Sequence, residues 1–134
     1  MVSISRFSSQ FLLFMIIFIA LGCGQRGSDQ PDLGYVQGTV TMDGKPFVGA
    51  IIVFSPENGR QSAGTLDENG KYELEYMHHS KGAKLGSHTI GFGTPTGETL
   101  AVPIPKKYLY GTETGLKAEV KPGNNSFDFS LKSK

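Results

Sequence analysis

The chain has 134 residues, enough for one domain and a short leading segment but not for two cores. A composition that is 38% hydrophobic and 19% charged, with 18 Gly, 7 Pro and no Trp, favours many turns and short strands over long helices. Thirteen Lys and Arg against twelve Asp and Glu give a net charge of +1. Without Arg6 the balance is even, so the basic footprint that phosphate backbones and anionic lipid surfaces select is missing, and nucleic acid is not an expected partner.

Met1 to Gln10 is polar with one basic residue, Arg6, and Phe11 to Leu21 (FLLFMIIFIAL) then runs eleven residues without a polar side chain. As a helix that run is ~16 Å long, about half of a ~30 Å hydrocarbon core. A basic start, a short apolar middle and small residues before a boundary form the layout of an export signal, to be set aside in reasoning about the fold. The run ends in Ala20-Leu21-Gly22-Cys23, which contains the only cysteine. This ending resembles the lipobox of bacterial lipoproteins, with Ala20 standing where that family usually has Leu.

The resemblance implies that residues 1–22 are a cleaved leader, that Cys23 receives a diacylglycerol, and that the new amino terminus is acylated with a fatty acid such as palmitate. The competing reading is a buried or accidental thiol behind an uncleaved anchor. One acyl chain holds a protein to a membrane only marginally, so the two or three chains of a lipoprotein are what make attachment persistent. Acylation would also remove the only thiol and leave no disulfide or redox chemistry. Residues 23–34 are then the anchor and a flexible tether. Gly24 to Gly34 (GQRGSDQPDLG) has little apolar content and a typical span of roughly 18 Å. In such lipoproteins a residue other than Asp after the cysteine implies onward transport to the outer membrane where there are two membranes. The expected location is the cell envelope, with the domain in the periplasm or outside.

From Tyr35 to Lys134 the pattern has period two. Val36, Gly38, Val40 and Met42 alternate with Gln37, Thr39 and Thr41, and Asp43-Gly44 makes a turn. Ala50 to Ser55 (AIIVFS) is apolar on both faces and reads as a central strand closed by Pro56 and the turn Glu57 to Arg60. A short strand over Ser62 to Leu66 leads to the turn Asp67-Glu68-Asn69-Gly70. Tyr72, Leu74 and Tyr76 then alternate with Lys71, Glu73 and Glu75. Gly86 to Gly93 (GSHTIGFG) places His88, Ile90 and Phe92 on one face. Leu116, Ala118 and Val120 form another strand; Pro122 to Asn125 turns the chain; Phe127, Phe129 and Leu131 finish it.

Seven strands in about one hundred residues predict an all-β fold, a seven-stranded antiparallel Greek-key sandwich of immunoglobulin-like or related type. The irregular stretch Thr94 to Thr114, rich in Pro and Gly, leaves room for an edge strand over Leu100 to Ile104; long loops on rigid sandwiches often carry binding.

The stretches GYVQGTVTMDGKPFVGAIIVFSPENGR, GTLDENGKYELEY and EVKPGNNSFDFSLK together resemble carboxypeptidase regulatory-like and transthyretin-like domains, in particular small bacterial lipoproteins with one such domain. The shared features are Gly38 to Val40, Asp43 to Phe54, and the turn-plus-strand from Thr65 or Asp67 to Tyr72, over roughly Gly34 to Lys132. They imply a prealbumin-like or starch-binding-like sandwich and carry no catalytic residue. The zinc carboxypeptidases need His-x-x-Glu, whereas Lys81, Gly82 and Gly91 stand in the fourth positions after His78, His79 and His88. The hydroxyisourate hydrolases end in Tyr-Arg-Gly-Ser, whereas this chain has Phe129-Ser130-Leu131-Lys132. Neither activity transfers.

Among residues that could carry chemistry, His78 and His79 point to opposite sides of an extended chain, so a metal site with His88 competes with a solvated loop. Asp67 to Gly70 offers oxygen ligands for calcium but is already explained as a turn. There is no Gly-x-Ser-x-Gly, and Glu73 with Glu75 fits a solvated strand face. No cofactor is expected, and the chain is not read as an enzyme. Tyr108 and Tyr110, beside Lys106 and Lys107, are the candidate contacts for a ligand or partner, since loop aromatics stack on sugars or anchor proteins. The competing reading is that one of them plugs the end of the sandwich. The sequence therefore points to a membrane-tethered lipoprotein whose sandwich is a non-catalytic structural or protein-interaction module. The alternatives are a glycan-binding module using the Thr94 to Thr114 loop and, further off, a transthyretin-like hydrolase. Expected partners are the membrane, through the lipid, and an envelope protein or polysaccharide.

Overall fold

Alternation of apolar and polar side chains builds the longest strand, β1 (Leu33–Met42), followed by β2 (Lys45–Pro46), β3 (Ile51–Pro56), β4 (Ser62–Thr65), β5 (Lys71–Glu73) and β6 (Glu75–Met77). Then come β7 (Ser80–Lys81), β8 (Ala83–Lys84), β9 (Gly86–Gly93), β10 (Lys117–Val120), β11 (Asn124–Ser126) and β12 (Phe129–Leu131). The computed structural model describes residues 30–77 and 79–134. The expected leader, Cys23 and the expected tether up to residue 29 lie outside the described residues, as does His78.

β1 is the spine of the first sheet. Along one edge it pairs antiparallel with β8, β5 and β2 in turn; along the other it pairs with β11 and β12. The β1–β2 hairpin closes through Asp43 and Gly44, with φ of 51° and 83°. Two successive positive φ angles define the turn whose twist matches the flanking strands, and Asp-Gly suits it. The second sheet runs in the order β10-β9-β3-β4-β6-β7, antiparallel throughout. β3 is central, as its two-sided apolar sequence requires.

The segment from Lys71 to Met77 serves both sheets. β5 pairs with β1 in the first, and β6 pairs with β4 in the second. The corner is at Leu74, whose side chain is buried and whose N–H donates to the Val36 carbonyl at 3.0 Å. Strands that change sheets make such corners. Gly64 on β4 leaves the room, since a Cβ there would lie 2.5 Å from the Glu73 carbonyl oxygen.

The inward set is Val36 and Val40 from β1, Ile52 and Phe54 from β3, Ile90 and Phe92 from β9, and Ala118 and Val120 from β10, all buried. Phe54 is the hub where the sheets meet: its ring centroid lies 6.2 Å from Tyr72 and 6.4 Å from Phe129 on the opposite sheet, and 6.0 Å from Phe127 between β11 and β12. Fully burying one such side chain contributes about 1.5–3 kcal/mol.

Three expectations need correction. Among the described residues twelve strands form where seven were expected, because Lys71 to Met77 breaks at Leu74 into β5 and β6 and the two-residue strands β2, β7 and β8 are too short to show an alternating pattern. The β1–β11 and β1–β12 ladders are parallel, not antiparallel. The chain leaves β10 in the second sheet and returns through Pro122-Gly123, where Tyr35 N–H donates to the Gly123 carbonyl at 2.9 Å. It thus enters the first sheet at the end where β1 starts and runs beside it in the same direction. Leu100 to Ile104 forms no strand. Pro103 has no N–H for a ladder, and Leu100 and Ile104 pack singly, half-buried, against the core.

Candidate functional site

The Thr94 to Thr114 loop is held to the sandwich at its second half. Pro105 precedes a 3-10 turn over Lys106–Tyr108, and the chain is extended again by Leu109. It then runs beside the end of β9: Tyr110 N–H donates to the Phe92 carbonyl at 2.8 Å, and Thr114 Oγ1 donates to the Ile90 carbonyl at 2.5 Å. β10 takes over that edge from Thr89 back to Gly86.

The four predicted contact residues separate. Tyr108 is half-buried against the core, and its hydroxyl accepts from the Lys132 N–H at 3.2 Å. It ties the loop to the chain just past β12. Lys107 places Nζ 5.0 Å from the Tyr108 ring centroid, and Lys106 and Lys107 are exposed. Tyr110 goes elsewhere. Its backbone rests on β9, where a Cβ on Gly91 would lie 2.7 Å from the Tyr110 Cα. Its hydroxyl accepts from Gln61 Nε2, one residue before β4. The side chain thus crosses from β9 toward β4 on the outer face of the second sheet, 48% exposed. The side chain lines a hollow of about 320 Å³ together with Ser55, Gln61, Thr89, Thr112 and Glu113 among others. Gln61 and Glu113 carried no signal in the sequence, because no local pattern reports a contact 49 residues away.

The two described histidines, His79 and His88, do not come together. His79 is exposed with φ 71°, whereas His88 is buried beside Phe54, ring centroids 5.7 Å apart. His88 Nε2 lies 2.7 Å from the Lys84 carbonyl oxygen, which only accepts, so Nε2 carries the proton. His88 Nδ1 is buried without a hydrogen-bond partner among the described residues, and so is the Ser62 hydroxyl. Among the described residues no three His, Cys, Asp or Glu side chains gather as metal ligands.

Asp67 acts as a turn residue: its Oδ1 accepts from the N–H groups of Asn69 at 2.8 Å and Lys71 at 2.9 Å. Glu73 pairs with Lys81 at 2.7 Å and accepts from the Tyr35 hydroxyl at 3.0 Å. The Lys81 and Tyr35 hydrogen bonds hold the Glu73 carboxyl below its ordinary range, while Glu73 raises the Lys81 ammonium and the Tyr35 phenol. Glu75 sits one sheet over, opposite Ala63 and Lys81. The two glutamates therefore belong to different sheets, although alternation alone put them on one strand face.

No protein-family model, curated protein or solved structure matches the chain.

Proposed function

We propose that this chain is an exported lipoprotein, anchored through an acylated Cys23, whose sandwich is a non-catalytic structural or protein-interaction module of the cell envelope. The anchor rests on Phe11 to Cys23, an apolar run too short to span a bilayer that ends in Ala-Leu-Gly-Cys. The module reading rests on one observation about the domain: three of its polar side chains bond distant stretches of its own backbone. Asp128 accepts from Thr39 N–H at 2.8 Å, Asn125 donates to the Tyr35 carbonyl at 3.0 Å, and Asp43 accepts from Ser133 N–H at 3.0 Å, joining segments 89 to 90 residues apart. These groups stabilise a scaffold. On this reading the domain is of the prealbumin-like kind, with the seven alternating stretches as its framework.

Fatty-acid labelling and membrane fractionation of the full-length protein and of Cys23→Ser test the anchor. Loss of label and retention of the leader in the variant are expected; a variant that is cleaved, labelled and membrane-bound as before would overturn it. For the module, in-cell crosslinking from residues on the Thr94 to Thr114 loop is expected to capture one reproducible envelope protein. Absence of any enriched protein speaks against that half of the reading and leaves the anchor untouched.

A further inference from the structure

We propose that the hollow lined by Tyr110, on the outer face of the second sheet, is a binding site for a neutral hexose unit of a polysaccharide. The aromatic component is Tyr110. It is 48% exposed, yet it is held at both ends: its N–H donates to the Phe92 carbonyl at 2.8 Å, and its hydroxyl accepts from Gln61. The turn that follows is closed by Thr112, whose N–H and Oγ1 both donate to the Leu109 carbonyl, at 3.1 and 2.6 Å. An exposed ring fixed before any ligand arrives loses little freedom on binding, the condition under which stacking on the apolar face of a sugar is productive.

Gly91 makes the arrangement possible, since any side chain there would collide with the Tyr110 backbone. The floor and rim supply what sugar hydroxyls need. Ser55 and Thr89 offer hydroxyls that both donate and accept, and the Gln61 carbonyl oxygen, which takes no part in the bond to Tyr110, is an acceptor. The Tyr110 hydroxyl, having accepted from Gln61, retains its proton to donate. Glu113 decides the charge class: a carboxylate on the rim accepts from neutral hydroxyls and repels uronates, sulfates and other anionic sugars. The volume, about 320 Å³, is at the lower end of small-ligand sites and admits roughly one or two hexose rings. Tyr108 has no part in it, because its hydroxyl is engaged by Lys132.

The test uses the full-length chain in a non-glycosidic detergent, titrated with maltohexaose, cellohexaose and chitohexaose, with an oligogalacturonate as the anionic comparison. Saturable binding of at least one neutral probe is expected, with at least tenfold weaker binding of the oligogalacturonate. Tyr110→Ala should weaken the neutral probe tenfold or more, and Glu113→Gln, which leaves the loop's hydrogen bonds in place, should narrow the neutral-to-anionic preference severalfold. No saturable binding of any neutral probe at millimolar concentration overturns the site. So does binding that survives both Tyr110→Ala and Glu113→Gln unchanged. Neither result bears on the Cys23 anchor or on crosslinking to a protein.

Discussion

Tyr72 reaches across β1 to donate its hydroxyl to the Phe127 carbonyl at 2.6 Å, linking β5 on one edge of β1 to the segment between β11 and β12 on the other. The ring passes over Gly38, where a Cβ would lie 1.9 Å from the Phe127 oxygen and 2.9 Å from Tyr72 Oη. The Gly38 in this strand is therefore required by close approach. Gly38→Ala is expected to destabilise the domain by about 3 kcal/mol or more, through backbone displacement. Tyr72→Phe, which removes only the hydrogen bond, should cost about 1 kcal/mol. Denaturant unfolding of the two variants would measure both, and equal losses would argue against the close-approach account.

The same phenol sets the behaviour in alkali. Burial, with a smaller contribution from the Asp128 carboxylate, pushes Tyr72 above its ordinary 10.0. The unfolded chain then loses this proton first, so the group's stabilisation is complete below pH 10.0 and declines as pH rises beyond it. Spectrophotometric titration should show Tyr72 ionising only as the fold is lost. In Tyr72→Phe, stability should fall less steeply over that range.

Two turn glycines separate backbone conformation from space. Gly44 has φ 83° and nothing near a Cβ, whereas Gly70 has φ 72° and a Cβ there would lie 2.4 Å from the Val40 oxygen. Gly44→Ala should cost about 1–2 kcal/mol, the price of a left-handed residue. Gly70→Ala adds a collision with β1 and should cost about 3 kcal/mol or more. Thermal unfolding of the pair would rank them.

Acid sensitivity has a local source in Glu73. Its carboxyl is held below its ordinary 4.5 by Lys81 and then Tyr35, so its stabilisation is present above pH 4.5 and is lost as pH falls through the lowered value. Because the pair is exposed, the effect is small and screened by salt. Glu73→Gln should flatten the decline in Tm between about pH 7 and about pH 3 at low salt, with little difference from wild type at high salt.

Ser62 offers the opposite sign. Its hydroxyl is fully buried on the inner face of β4 without a partner among the described residues. Removing an unpaired polar group relieves its desolvation cost, so Ser62→Ala should leave stability unchanged or raise it by up to about 1 kcal/mol. A loss above about 1 kcal/mol in denaturant unfolding would mean that the hydroxyl is satisfied in solution.

Much of this architecture is legible in short stretches. Val36 to Met42, Ala50 to Ser55 and Gly86 to Gly93 show their buried faces by alternation, and Asp43-Gly44 and Asp67 to Gly70 declare their turns by residue type. The candidate site is legible only in half. Tyr110 stands out in a loop with no helical or strand pattern, but Gln61, Ser55 and Glu113 look like ordinary surface residues. What makes them a group is the return of the loop onto β9, which depends on Gly91 having no side chain.

The sequence by itself determined the longer strands at Val36 to Met42, Ala50 to Ser55 and Gly86 to Gly93 and the turns at Asp43-Gly44 and Asp67 to Gly70, because period-two burial and positive-φ turn chemistry are properties of a few adjacent residues. Only the tertiary structure decided that the chain changes sheets at Leu74, that β11 and β12 run parallel to β1, and that Tyr108 and Tyr110 part company. Each of these depends on which backbone edge is still unpaired and how much space a distant glycine leaves. Such conditions exist only once the other strands are in place.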